Sequence, residues 1–313
     1  MLHVNGIARE IALEIVCADE RRLPVLVNSV LERDGAGNPV VIRTAIFDAS
    51  HRRKYEEELL REKQRAISSE ARATALARTL QQTLIPPDVP VVPGLEVSAE
   101  YRPAGDGGEV GGDFYDIFQA ADDDWVVAIG DVCGKGADAA VVTALARYTL
   151  RAAAVQDPSP AHGLSLLNDA LLRADVDRFC TAAMLRLRRR AGQWLVTLCT
   201  GGHPLPLHLS PSGEVRGVGA AGSLLGVLDQ IELSESNIVL EAGHALVVYT
   251  DGVTEARSAD GTFYGERRLH AHLAASVDPD EAIAHSLLTD VLRFQDGVAR
   301  DDIAIVALRV PRV

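Results

Sequence analysis

Cysteine is scarce in this chain. Cys17, Cys133, Cys180 and Cys199 stand far apart with no CxxC pair among them. That pattern excludes a disulfide framework and a zinc knuckle, and it fits a reducing compartment. Basic residues are in deficit: 31 Lys and Arg face 44 Asp and Glu, for a formal charge of −13. This is the wrong sign for displacing counterions from nucleic acid or for docking on an anionic membrane. No uninterrupted apolar run is long enough to span a bilayer, and the opening MLHVNGIAREIALEIV lacks the basic-then-apolar form of a signal peptide. A cytoplasmic protein with no nucleic-acid or membrane partner is expected. What is present, 47% hydrophobic and 24% charged residues over 313 positions, is a globular composition long enough for one large domain and a smaller piece.

Proline and glycine are absent from Arg52 to Leu84, and this divides the chain into three. Before that stretch, LPVLVNSVLE, the turn Asp34-Gly35-Ala36-Gly37-Asn38-Pro39 and VVIRTAIFD predict a hairpin within residues 23–50. Within it, Leu59, Ala66, Ala73 and Leu80 recur every seven residues as one seam of a long helix. The companion positions Tyr55, Glu62, Ser69, Leu76 and Thr83 are mixed, so a marginal coiled coil and a helix packed on a neighbouring domain both remain open. Pro86-Pro87 ends the helix, because neither residue offers an N–H. The boundaries expected are 1–51, 52–86 and 87–313.

Beyond the prolines, strands alternate with helices. Apolar runs predict strands at 95–101, 114–119, 125–130, 181–187, 193–200, 206–209, 238–240, 245–250 and 303–310. Hairpin-length connections such as AADDD and RRRAG make most of the pairing antiparallel. Helices are predicted at 138–154, 161–173 and 280–294. The fold class expected is α+β in layers, with no doubly wound parallel sheet.

Several apolar strands run into or out of acids. WVVAIGDVCGKG leads into Asp131, HALVVYTDGVTE into Asp251-Gly252, Asp301 and Asp302 precede the last strand, and Asp113 starts a strand after Gly111-Gly112. An Asp beside Gly at a strand end is commonly a turn residue. As a set, these acids are oxygen-only donors of the kind a hard divalent cation requires. Two carboxylates about 4 Å apart repel by roughly 4 kcal/mol at an effective dielectric near 20, so a converged cluster shifts its pKa values or binds cations. No HxH or HExxH pattern competes for a zinc-type site. Gly111-Gly112-Asp113 superficially matches a nucleotide-cyclase GGDEF signature, but the acidic position of that pattern is Phe114 here. Gly134-Lys135 suggests a P-loop, yet Gly136 stands where Ser or Thr should hold magnesium.

The succession QQTLIPP, EYRPAGDGGEVGGDFYDIF, VVAIGDVCGKGADAA, TGGHPLPL, LLGV, VVYTDGVTEARSADGTFYGERRL and RDDIAIVALRV resembles the SpoIIE/RsbU-type serine phosphatases, a bacterial branch of the metal-dependent protein phosphatases (PPM). The resemblance covers roughly residues 80–313. It implies an antiparallel β-sandwich flanked by α-helices and a centre of two Mn²⁺ or Mg²⁺ ions that hydrolyses phosphoserine or phosphothreonine on a protein. By the same resemblance Asp131 bridges both metals and the Val132 carbonyl completes one shell. Asp251 and Asp301 hold the second metal, and Asp113 is a metal ligand of the same centre or orients its water. Asp302 either supports these ligands or is an alternative one, while Gly111, Gly112 and Gly252 shape the backbone around the ions.

The chain also departs from its relatives. Where eukaryotic relatives carry a proposed general-acid His beside the bridging acid, this chain has Cys133, with Lys135 two residues on; the group that protonates the leaving oxygen is left unassigned, with water as the default. Ala304 replaces the hydroxyl of the usual DDIT. His203, in GGHP, reads as a structural histidine, and Cys133 as a small packed residue with no His base patterned beside it. Upstream, the hairpin and exit helix resemble the last strands of a PAS sensor domain without its ligand-cradling half, so no haem, flavin or small-molecule ligand is expected there. The resemblance implies a phosphorylated anti-sigma-factor antagonist as substrate, an upstream regulator and a homodimer through the linker helix. The alternative is a non-catalytic module of the same fold that binds a partner without turnover.

Overall fold

The computed structural model describes residues 6–84, 88–104, 111–174, 177–190, 192–275 and 282–312, without the side chains of 57, 70 and 72–84. The chain divides into two compact units, Met1–Arg72 and Ala73–Val313.

The first unit is a three-stranded antiparallel sheet in the order β1-β2-β3, formed by β1 (Ile7–Val16), β2 (Arg22–Arg33) and β3 (Pro39–Asp48). The expected hairpin is β2 and β3, and its turn is tied by the Asp34 carboxylate, which accepts from the Ala36 and Asn38 amides at 3.0 and 2.7 Å. The third strand, β1, goes beyond the sequence reading. Its register shifts between Ala8 and Ile11, with Glu10 at φ 53°, and the extra residue breaks the period of two that would have marked it. Helix α1 (Ser50–Leu84) follows. Its seam residues Leu59 and Ala66 are exposed; the side chains of Ala73 and Leu80, and the Pro86-Pro87 stop, lie outside the described residues.

The second unit holds two five-stranded sheets. One has the order β10-β9-β12-β13-β4, from β4 (Glu96–Arg102), β9 (Leu207–Leu209), β10 (Val215–Gly217), β12 (Ala245–Tyr249) and β13 (Ile303–Arg309). The other has the order β11-β8-β7-β6-β5, from β5 (Phe114–Ala121), β6 (Asp124–Val132), β7 (Cys180–Arg190), β8 (Gln193–Gly201) and β11 (Ser236–Leu240). Every paired strand in both is antiparallel.

Alternation along the strands builds the layers. In β6, Trp125, Val127 and Ile129 meet Val248, Val306 and Leu308 between the sheets, while Val126 and Ala128 face outward. That outer face is covered by α2 (Ala137–Gln156) and α3 (Pro160–Arg173) through Val142, Ala146, Leu150, Leu164 and Leu167. The other sheet's outer face is covered by α4 (Gly265–Ala275) and α5 (Ile283–Phe294) through Leu269, Leu273, Leu287 and Val291. Helix α5 begins at Ile283; the expected start at Asp280 lies outside the described residues. The sequence reading did not anticipate α4 and β10.

Candidate active site

Strand parity decides which acids meet. Asp131 lies two residues beyond Ile129 on the side of β6 that faces the opposite sheet, and Asp113 shares the parity of Tyr115 and Ile117. Phe114 pairs with Gly130 and the Val132 amide donates to the Gly112 carbonyl, so Asp113 and Asp131 fall opposite each other between these pairs, at one end of the sandwich. From the other sheet, Asp302 has the parity of Ala304 and Val306, and Thr250 that of Leu246 and Val248. Asp251 and Asp301 each sit one step from these, in turns.

Hydrogen bonds across the two sheets fix the inner members. Asp113 is only 2% exposed, and Thr250 Oγ1 donates to its Oδ2 at 2.6 Å. The same hydroxyl accepts the Ala304 amide at 2.9 Å, so β13 orients it. Thr250 was not singled out from sequence; its signal is a hydroxyl residue continuing the sandwich-facing positions of β12. Asp302 accepts the Ala104 amide on Oδ1 at 2.8 Å and the Gly112 amide on Oδ2 at 2.9 Å. Both its oxygens therefore hold backbone.

The three glycines are required by close approach. A Cβ on Gly111 would lie 1.6 Å from Asp302 Oδ2, and one on Gly252 1.8 Å from the Asp302 carbonyl. A Cβ on Gly112 would meet the Val132 carbonyl oxygen at 2.1 Å and Asp131 Oδ1 at 2.6 Å, so those two oxygens line one notch that only glycine leaves open. The Gly112 carbonyl is in turn held by the Val132 amide at 3.2 Å and by Thr143 Oγ1 of α2 at 3.2 Å. Glu109 and Val110, in the stretch leading to these glycines, lie outside the described residues.

Electrostatics confirm that the acids share one field. Burial and then the Asp251 charge push Asp131 up to about 7, with smaller upward contributions from Asp301 and Asp302 and an opposing hydrogen bond with Asp113. Asp113 is raised well above the usual carboxylate range by burial, Asp131 and Asp302. Asp251 is raised by burial, Glu255 and Asp301, and Asp302 by burial against its two backbone donors. Asp301, more exposed, accepts the Asp302 amide at 3.1 Å and pairs with Lys135 Nζ at 3.0 Å.

The donors suit a hard divalent cation: carboxylates and one carbonyl, with Asp113, Asp131, Asp251 and Asp302 raised in a way that a positive charge would reverse. Among the described residues no three His, Cys, Asp or Glu side chains are grouped closely enough to hold a metal ion as they stand. The acids are neighbours at one end of the sandwich.

His203 is buried; burial depresses its pKa to about 3, and its Nδ1 lies 3.0 Å from Thr181 Oγ1, so it is a neutral structural group as expected. Cys133 is partly exposed, and Lys135 of the P-loop-like GKG faces Asp301.

A family model described as stage II sporulation protein E (SpoIIE) matches residues 121–311. The chain is 26% identical over 267 residues to Protein IcfG of Synechocystis sp., an alignment covering 74% of this chain but 40% of that protein. It is also 26% identical over 258 residues to phosphoserine phosphatase RsbU of Bacillus subtilis, covering 81% of this chain and 74% of RsbU. Among solved structures, the SiaA-PP2C domain of Pseudomonas aeruginosa shares the fold, with a TM-score of 0.63 at 22% identity over 79% of this chain and 98% of that one. No helix among the described residues is long and apolar enough to cross a membrane.

Proposed function

The chain belongs to the stage II sporulation protein E family, and from that membership we propose that it is a divalent-cation-dependent phosphoprotein phosphatase acting on phosphoserine or phosphothreonine. The observation that carries this reading is the gathering of Asp113, Asp131, Asp251 and Asp302 at one end of the sandwich, with Asp301 beside them and the pKa values of the first four raised by burial and by neighbouring acids. The 26% identity to a phosphoserine phosphatase supports the substrate class.

In this reading Asp131, the Val132 carbonyl, Asp251 and Asp301 would hold Mn²⁺ or Mg²⁺. Cations held there would supply positive charge to the phosphate oxygens and acidify a water for attack on phosphorus. Asp113, held by the Thr250 hydroxyl, orients water. Asp302 works through its two backbone bonds, keeping Gly112 against the notch. His203, neutral at physiological pH, donates no proton to the leaving serine oxygen, which takes one from water.

The substrate is a phosphorylated anti-sigma-factor antagonist in a partner-switching pathway under an upstream regulator. Residues 1–51 are a PAS-like remnant, and α1 contributes to a homodimer; light scattering of the full chain gives twice the monomer mass if so, and the monomer mass if not. The enzymatic test is release of inorganic phosphate from an aryl phosphate and from phosphoserine-bearing antagonist proteins, with Mn²⁺, Mg²⁺ or chelator. Turnover that requires the cation is expected. Cation binding with no turnover on any substrate would instead make the chain a partner-binding module.

A further inference from the structure

The cation-facing oxygens Asp131 Oδ1 and Val132 O lie at the last rungs of β6, where Asp131 pairs with Thr181 and Val132 with Cys180. One further ladder bond follows, the Cys133 amide to the Phe179 carbonyl at 3.0 Å. That amide and the Val132 carbonyl belong to the same peptide unit. Holding the N–H toward β7 therefore turns the carbonyl the opposite way, toward Gly112 and the notch. The next peptide unit is held differently: its Cys133 carbonyl accepts from Arg178 Nη1 at 2.7 Å, a side chain taking over where the ladder ends.

Arg178 does more than cap one carbonyl. Its guanidinium lies on Gly134, where an added Cβ would sit 1.9 Å from Nη1, and Gly134 has φ +97°. Its Nη2 reaches Asp138 in the first turn of α2 at 3.9 Å. One planar fork thus touches the loop before its turn, at its turn and after it. The loop needs such a hold, because Gly134 and Gly136 both take left-handed φ and α2 has no side-chain N-cap bond at Gly136.

We propose that Arg178 is a positioning residue for the cation site: it staples the 133–138 loop so that the Val132 carbonyl and Asp131 stay aimed into the Gly112 notch. The proposal rests on the cation-binding reading above. It assigns to a side chain outside the acid cluster a share of the cluster's affinity for cations. Lysine could restore the charge but not the planar fork that spans carbonyl, glycine and carboxylate.

The test is Mn²⁺ titration by calorimetry on the full chain and on Arg178→Ala, Arg178→Gln and Arg178→Lys, alongside thermal melts in chelator. The expected result is Mn²⁺ affinity reduced about tenfold or more in the Ala and Gln variants and only partly recovered in the Lys variant, with chelator melts close to wild type. Hydrogen exchange at the Cys133 to Asp138 amides accelerates in the same variants. Wild-type Mn²⁺ affinity in a folded Arg178→Ala or Arg178→Gln would overturn the staple while leaving the phosphatase reading intact. Failure of the wild-type chain to bind Mn²⁺ at all would overturn both.

Discussion

Two groups of buried carboxylates occupy the same sandwich and are treated oppositely. Asp116 and Asp124, on β5 and β6, are each met by guanidinium groups: Arg147 and Arg151 close on Asp116 at 3.1 and 2.9 Å, and Arg186 grips Asp124 through Nε at 2.9 Å and through Nη2. Three residues before Asp116, Asp113 begins a cluster in which burial is compounded by other acids. At its exposed rim Asp301 pairs with Lys135. The first group is neutralised from within and locks helix to sheet. The second stores repulsion that folding alone does not relieve, which is the mark of a site built for an outside positive charge.

The sharpest way to break the contrast is to neutralise one acid of the cluster. Asp131→Asn or Asp251→Asn should abolish cation-dependent phosphate release, while thermal melts in chelator show a fold as stable as wild type or more so. Near-wild-type turnover at saturating Mn²⁺ would remove that acid from the site.

The mirror experiment comes next in size. Asp116→Ala leaves Arg147, itself nearly buried, without its carboxylate and should cost on the order of 3 kcal/mol in denaturant unfolding. Turnover per folded molecule should fall far less than in the cluster variants. A neutral outcome would mean the two groups of acids are not energetically distinct.

Legibility from sequence follows the same line. The strands of the sandwich could be read because burial on both faces leaves continuous apolar runs, and the acids because they interrupt those runs at strand ends. β1 was hidden by its bulge at Glu10. α4 buries only Leu269 and Leu273, too thin a stripe to announce a helix, and β10 is three residues long. Thr250 and Arg178 take their roles from partners 137 and 45 residues away, at Asp113 and Cys133, and no local spacing encodes such contacts. Sequence left Asp302 between ligand and support; its two backbone donors favour support.

A smaller effect tests the stored repulsion by pH. Asp131 is raised in the folded chain to about 7 from 3.8, so the cation-free native state binds more protons than the unfolded state between those values. Its stability is full below about pH 4 as far as this group is concerned and declines as pH rises toward about 7. Melts in chelator should therefore show Asp131→Asn flattening that decline. An unchanged pH slope in the variant would contradict the shift.

The smallest expected change is at Thr250. Thr250→Val removes the donor to Asp113 and the acceptor for Ala304, for roughly 1 kcal/mol per lost bond, and should lower turnover about tenfold with the fold retained. Unaltered turnover would show that Asp113 needs no orienting partner.

The central claim is that the acid cluster, unlike its arginine-paired neighbours, is completed by a cation. The most direct measurement is the melting temperature of the full chain as Mn²⁺ is titrated, for wild type and Asp131→Asn in parallel. The account predicts a saturable rise for wild type that is absent or strongly reduced in Asp131→Asn. Equal rises in the two proteins, or none in wild type, would contradict it.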